Sequence, residues 1–483
     1  MFKRKDKKKT SLEFEKRPGL AESFKNGDIF TKLSAVVMGL GCIKRKQIAR
    51  GVIFFAFEIM FILYMILSGS YWISMLPSLG KVGPSTVYNE IYDQYVVSYG
   101  DNSFQILLYG ILTIFLIVAF CISWGMNIKL SYDAELKLKR GKKINGFKDD
   151  LRSLLDEGFY KTLLTLPIVG ITVFTFMPLV FMVLVAFTGY DGSHDGYANN
   201  LFHWVGFENF KTMFSSSGGN YFGTFIGILI WTIVWAIFAT FTNYFLGIIV
   251  ALMINKKGIK FKKMWRTILV LTIAIPQFIS LLYVSKMFST SGIVNGLLVN
   301  KLHWIEKPYD FWGAKLVSFS IFGKSITIWT AQLMVILINL WVGIPYLVLI
   351  ATGILMNIPS DLYEASRIDG ASPVQQFRYI TMPYMLFVTA PYLLTSFTGN
   401  INNMNVIYLL TGGGPTNTEA SSAAGAVGHT DLLITWVFKI TQGTESLYYM
   451  ASVIGIVIFI ILAALTLGVY NRLGSNKNEG DMA

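Results

Sequence analysis

Charge is what this sequence has least of. Only 14% of its 483 residues are Asp, Glu, Lys or Arg, while 53% are hydrophobic; a soluble domain carries about 25% charge. With a mean hydropathy of +0.53, this excludes an ordinary water-soluble fold and predicts a polytopic membrane protein. Cysteine is nearly absent: Cys42 and Cys121 are the whole complement. That excludes a disulfide framework or a thiolate metal centre and leaves two small apolar fillers. The four histidines, His194, His203, His303 and His429, include no pair at metal-ligand spacing. Catalytic residues, metal ligands and cofactors are therefore all expected to be absent. The long apolar runs hold almost no ionisable groups. Glu58 is the clearest exception, and Lys286 lies near the end of a run. Transporters driven by protons or sodium usually need such groups inside the membrane, so the driving energy is expected from another source.

What the sequence does have is eight apolar runs, roughly 51–76, 104–126, 162–188, 223–254, 266–287, 325–356, 384–410 and 446–470. Each reaches the ~20 residues a span requires. Backbone groups in lipid must be bonded internally, and the runs do not alternate as barrel strands do, so the fold class expected is an all-α membrane protein with eight transmembrane helices. With the amino terminus inside, 33 of the 41 Lys and Arg residues fall on cytoplasmic segments and 8 on outer ones. The positive-inside rule then places both termini in the cytoplasm. The net charge of +13 is mostly this bias, so it does not point to nucleic acid. The organisation expected is a basic cytoplasmic segment over 1–50, two spans and a basic loop over 51–160, and a third span with a short outer loop over 161–222. A core over 223–470 and a tail over 471–483 complete it. The lysine-rich start "FKRKDKKKT" predicts a solvated tail, able to meet anionic lipid headgroups, and not a cleavable signal peptide.

One cytoplasmic loop is longer than a simple turn requires: "EASRIDGASPVQQFRYITMP", residues 364–383. Pro359 ends the preceding helix. Ser360 is expected to cap a new short helix, with Asp361 in its first turn. Leu362, Ala365 and Ile368 give that helix an apolar edge; Gly370 permits a turn, and Pro373 can start a second short helix. Pattern alone leaves two readings open, an interfacial helix resting on headgroups or a plug that docks into a cytoplasmic partner.

Two stretches read as a binding site. In span six Asn339, Gly343 and Tyr346 recur at i, i+4, i+7, and in span seven Ser396, Asn400 and Asn403 repeat that spacing, so each set is expected on one helical face. Neutral donors and acceptors beside Trp341 and Phe397 suit a sugar. The alternative is that these groups bond neighbouring helices, interactions worth about 0.6 kcal/mol on average. "SFSIFGKS" (318–325) ends like a nucleotide-binding loop but has Ser318 where the first glycine belongs, so any ATP must be bound by a separate subunit. "TGGGPTN" (411–417) reads as an irregular outer loop. A stand-alone membrane enzyme acting on glycolipid is the rival class. It would need paired carboxylates, a metal or a nucleophile–base pair, and the sequence offers no such constellation.

The loop resembles the "EAA" loop of binding-protein-dependent ABC transporter permeases. Its Glu364-Ala365-Ser366, Asp369-Gly370-Ala371 and Ile380-Thr381-Met382-Pro383 follow that family's pattern, departing only at Ser366 and Met382. "WVGFENFKTMF" (204–214) resembles the segment that leads into the permease core, "NLWVGIPY" (339–346) and "NVIYLLTGGGPTNT" (405–418) are similar to the sugar-permease branch, and eight spans after a basic segment resemble the larger permease subunits of maltose and maltodextrin transporters. The resemblance implies a type I ABC importer permease fold in the bacterial cytoplasmic membrane, with a coupling helix within 360–383. Glu364, Ala365, Asp369, Gly370, Ala371 and Pro383 would meet the ATPase. It implies a second permease, two ATPase subunits, an extracellular solute-binding protein and a sugar substrate, maltose or maltodextrin, with another oligosaccharide such as a galacto-oligosaccharide as the alternative. It also places Asn339, Val342, Gly343, Tyr346, Ser396, Asn400 and Asn403 at substrate-lining positions. Gln277 and Gly399 fall at lining positions with changed side chains, and Ile273 stands where the relative has an aromatic. The loop 189–222 is short where some relatives carry a folded domain.

Overall fold

The computed structural model describes residues 19–156, 158–195, 199–215, 221–256, 258–321, 324–418, 427–443 and 445–471. The lysine-rich start, the tail beyond 471, and residues 322 and 323 of the nucleotide-loop look-alike lie outside these. Among the described residues seven helices are long and apolar enough to cross a membrane: Ile48–Met75, Ser103–Lys139, Phe159–Val185, Tyr221–Asn255, Thr330–Leu355, Pro373–Thr411 and Tyr448–Tyr470. The pair Lys262–Ala274 and Gln277–Met287, bent by 92°, meets the same test taken together and makes eight when counted as one span. The protein is a multi-pass, mostly helical membrane protein, as its apolar runs predict.

The chain divides into two compact units, one of Met1–Leu184 with His194–Trp204, the other of Val185–Ser193 with Val205–Ala483. In the first, the helix Ser103–Lys139 has 37 residues. At 1.5 Å per residue it is about 55 Å long, far more than the ~30 Å hydrocarbon core. Its excess length carries a folded segment within residues 20–44. The reason is a buried polar cluster. Arg45, 7% exposed, pairs with Asp28 at 2.7 Å and with Glu135 at 3.3 Å. It also donates to Ser131, Thr31 and the Gly41 carbonyl at 2.7, 2.8 and 3.0 Å. Glu58, the lone carboxylate of the first span, is buried and accepts the Met38 backbone N–H at 2.8 Å. It anchors this segment.

Two antiparallel hairpins appear where only loops and helix were expected. β1 (Ser85–Asn89) pairs with β2 (Gln94–Ser98) in the first unit. β3 (Lys315–Ile321) pairs with β4 (Lys324–Trp329) in the second. Span six therefore begins at Thr330 and not at 325. The stretch before it, "KSITIW", alternates β-branched and polar residues and so favours a strand.

The second unit's helices pack through three buried apolar clusters. Trp235, Leu281, Val335 and Val406 lie in one, and Tyr244, Ala251, Leu347 and Met385 in another. Trp436, Phe225, Met450 and Val453 belong to the third. These fix spans four, six and seven against one another and so hold the polar groups described next.

Candidate functional site: a broken span, a polar layer and an exposed loop

Span five was expected to run unbroken over 266–287. It breaks at Ile275 and Pro276, both with extended or non-helical backbone. Proline lacks the N–H of the helical ladder, and the residue before it is pushed out of helical geometry. The break opens a cavity of about 330 Å³ whose walls include Thr272, Ile273, Gln277, Trp341, Val342 and Tyr346. Trp341 and Tyr346 are 49% and 51% exposed, so each leaves about half its surface open. Among the expected lining residues, Gln277, Val342 and Tyr346 stand here, with Ile273.

The other expected residues are placed elsewhere in the second unit. Asn339 is 6% exposed, and its backbone carbonyl lies 3.5 Å from the Asn243 amide. A Cβ at Gly343 would lie only 2.5 Å from that same Asn243 amide nitrogen. Asn339 and Gly343 thus face span four, while Tyr346 faces the cavity. Asn243 Oδ1 and Asn339 Nδ2 are buried and have no hydrogen-bond partner among the described residues. In span seven, Asn400 donates to Thr240 at 2.9 Å, and its carbonyl accepts from Trp235 at 3.1 Å. Ser396 lies one helical turn beyond Tyr392, whose ring lies 6.4 Å from that of Tyr346. Gly399 is exposed, with open space where a Cβ would sit. The helix ends at Ile401, and Asn403 caps the following segment Met404–Thr411 by accepting from the Asn405 N–H. The i, i+4, i+7 face therefore stops at Asn400, because asparagine competes for backbone bonds and turns the chain.

These contacts form a polar layer through spans four, six and seven that includes Thr240, Asn243 and Tyr392, which the sequence reading missed. Its only signal was an isolated Asn or Thr in an apolar run. Span four makes a π-helical turn over Phe238–Thr242 at this level, a feature frequent at functional positions.

The loop 360–383 folds as two short helices, Ser360–Ile368 and Pro373–Gln376, followed by a π-turn at Phe377–Thr381. Pro359 is the capping residue; Ser360 sits one place inside, and its hydroxyl turns to Asp361. Gly370 adopts φ +80°, the left-handed region that glycine enters at little cost. Glu364, Ala365, Asp369 and Pro383 are exposed, and Ala371 is half-buried. Leu362 and Ile368 are 49% and 87% exposed, an apolar edge left open. Ser366 is more than a tolerated swap: Gln376 donates to its hydroxyl at 2.7 Å, and that hydroxyl donates to the Tyr363 carbonyl at 2.9 Å. Tyr363 and Thr381 hydroxyls meet at 2.9 Å, tying the first short helix to the end of the π-turn.

Spans that hold a polar layer, one of them broken beside an open cavity, and a protruding two-helix loop define a polytopic membrane permease component. Residues 243–476 match the family described as binding-protein-dependent transport system inner membrane component. The chain is 34% identical to the maltodextrin transport system permease protein of Bacillus subtilis, over 92% of this chain and 96% of that protein. It is 33% identical to the corresponding protein of Streptococcus pneumoniae, over 91% and 95%. It belongs to the family of binding-protein-dependent transport permeases. In fold it is similar to a solved bacterial ABC transporter involved in alginate import, with a TM-score of 0.51 and 22% identity, covering 69% of this chain and 99% of that one.

Proposed function

We propose that this chain is the larger permease subunit of an ATP-driven importer that brings a malto-oligosaccharide across the cytoplasmic membrane. Both termini lie in the cytoplasm, and the loop 360–383 projects there. The importer contains a second permease, two ATPase subunits that bind the nucleotide, and an extracellular solute-binding protein. The observation that carries the reading is the loop: a short helix with an open apolar edge at Leu362 and Ile368, flanked by Glu364 and Asp369 and ended by a positive-φ Gly370. Such a helix suits a cleft in a partner better than it suits water, because its apolar edge gains by burial.

Nucleotide closure of the ATPase pair draws the two short helices, and the Ser366–Gln376 and Tyr363–Thr381 contacts pass that movement to the start of span seven. The spans then turn from inward- to outward-facing, a shift the ATPase drives only through differential contact with the two states. Sugar released by the binding protein passes the polar layer and the cavity at the break in span five. Its hydroxyls meet Gln277, Tyr346, Ser396 and Asn400, and its C–H faces meet Trp341. The test is uptake by the reconstituted importer of labelled maltotriose against a galacto-oligosaccharide of equal length. ATP-dependent maltotriose uptake abolished by Gly370→Pro supports the reading. Uptake of the galacto-oligosaccharide alone reassigns the substrate, and normal uptake by Gly370→Pro removes the loop's role.

A further inference from the structure

A second cavity, of about 340 Å³, lies in the second unit between the beginnings of spans four and six and the chain around His429. On the orientation proposed above it faces outward. Its walls include Thr224, Gly227, Trp231, Gln332, Asn417 and His429. It shares no wall residue with the cavity at the break in span five.

Three features make it a built site. The first is unmet hydrogen bonding. Thr224 is only 5% exposed, and its hydroxyl has no partner among the described residues. Burying a polar group without a partner is costly, so this wall favours a ligand that supplies one. The second is a fixed frame of aromatic and amide groups. Trp231 is held by its indole N–H, which donates to the Thr430 carbonyl at 3.1 Å. Gln332 donates to the His429 carbonyl at 3.0 Å and accepts from the Trp329 N–H at 3.1 Å. This leaves its second amide N–H uncommitted. The His429 ring stacks on Trp329 with centroids 4.6 Å apart. The third is Gly227, in the middle of the helix Tyr221–Ile237. A Cβ there would meet nothing within 4 Å, so close packing does not require glycine. Glycine in mid-helix costs about 1 kcal/mol relative to alanine, and here it keeps the cavity wall flat.

A neutral, hydroxyl-rich ligand with apolar ring faces fits this frame: hydroxyls for Thr224 and Gln332, a C–H face for Trp231. The one carboxylate on the wall, Asp431, is already taken by Lys439 at 2.6 Å and by the Gly428 N–H at 2.7 Å. Among the described wall residues the carboxylate charge is therefore compensated. We infer that this cavity is an outer saccharide subsite, which receives one end of the sugar as it leaves the binding protein and before it reaches the break in span five. The inference rests on the proposed function, and longer chains would use both cavities at once.

The test uses the whole importer with its binding protein in proteoliposomes and a maltose-to-maltoheptaose series. Gly227→Leu fills the space and raises KM at least tenfold for the longer sugars, with a smaller effect on kcat. Thr224→Val, which keeps the shape and removes the hydroxyl, raises KM three- to tenfold in the same chain-length order. Gly170→Leu, on a different span with equally open space at its Cβ, leaves uptake unchanged and controls for glycine loss. Unchanged KM in both Gly227→Leu and Thr224→Val, while wild type transports, overturns the subsite alone. If Gly227→Leu does not assemble, Thr224→Val decides. Wild-type importer that takes up no saccharide overturns the functional reading and the subsite with it.

Discussion

Replacing Arg45 by alanine isolates what holds the amino-terminal segment on its helix. The guanidinium is 4% exposed at the side chain and lies between Asp28 and Glu135, the latter also 4% exposed. Asp28 is 38% exposed and can be rehydrated. Glu135 cannot, and it keeps only Lys139 at 2.6 Å, the Thr31 hydroxyl at 3.0 Å and the Asp28 N–H at 2.9 Å. Removing one partner of a buried pair costs about 3–5 kcal/mol. The loss falls on local opening of residues 19–47, because every group that Arg45 bonds lies in that segment or on the Ser103–Lys139 helix.

A native reporter sits three residues away. Cys42 is 0% exposed on the helix Leu40–Lys44, and burial pushes its thiol above the ordinary range. In wild type it should react with maleimide far more slowly than an exposed cysteine. When opening and closing are fast relative to labelling, the rate follows the open population. A loss of about 3 kcal/mol then accelerates labelling at least ~100-fold. The assay is mass-spectrometric maleimide labelling in membranes on a Cys121→Ser background. Lys44→Ala, which removes only a cation–π contact with Phe30, is the control and should change the rate less than threefold. Labelling of Arg45→Ala at the wild-type rate would refute the reasoning.

Other outcomes follow from the same geometry. Glu364→Lys on the exposed edge of the short helix should abolish uptake while the protein still reaches the membrane, read by transport and immunoblot together. Ser366→Ala should reduce uptake modestly, since one hydrogen bond is worth about 1 kcal/mol. Adding Gln376→Ala should cost less than its own single loss, because the two share one bond while Gln376 also donates to the Tyr363 carbonyl at 3.2 Å; fully additive losses would separate them. Asn400→Ala removes the contact to Thr240 and should raise the uptake KM across a sugar panel. An unchanged KM would return Asn400 to helix packing.

How much of this was legible in the sequence differs by element. The spans were, because twenty apolar residues in a row leave few alternatives. The loop 364–383 was legible as two short helices around a glycine turn, because Pro359, Gly370 and Pro373 are local signals. Pro276 was also visible, yet span five was read as unbroken: hydropathy registers length and not direction, and a 92° bend leaves the average unchanged. The polar face of span seven failed beyond Asn400 because helical spacing presumes a helix, and Asn402 and Asn403 end it. The facing of Asn339 and Gly343 toward Asn243 depends on which span packs alongside, which one-dimensional periodicity does not contain. The folding of residues 19–47 was hidden for a related reason. Asp28, Arg45 and Glu135 are 90 or more residues apart in part, and only the fold brings them together.

The central claim is that this chain works as the membrane part of an ATP-driven importer, coupled through the loop at 360–383. The most direct measurement is to purify the tagged chain in mild detergent from the cells that express it, with Ser366→Cys available for crosslinking, and to identify what accompanies it. A stoichiometric ATPase subunit, crosslinked through position 366, is expected together with a second permease. A chain recovered alone, with no ATPase captured even after crosslinking, would contradict it.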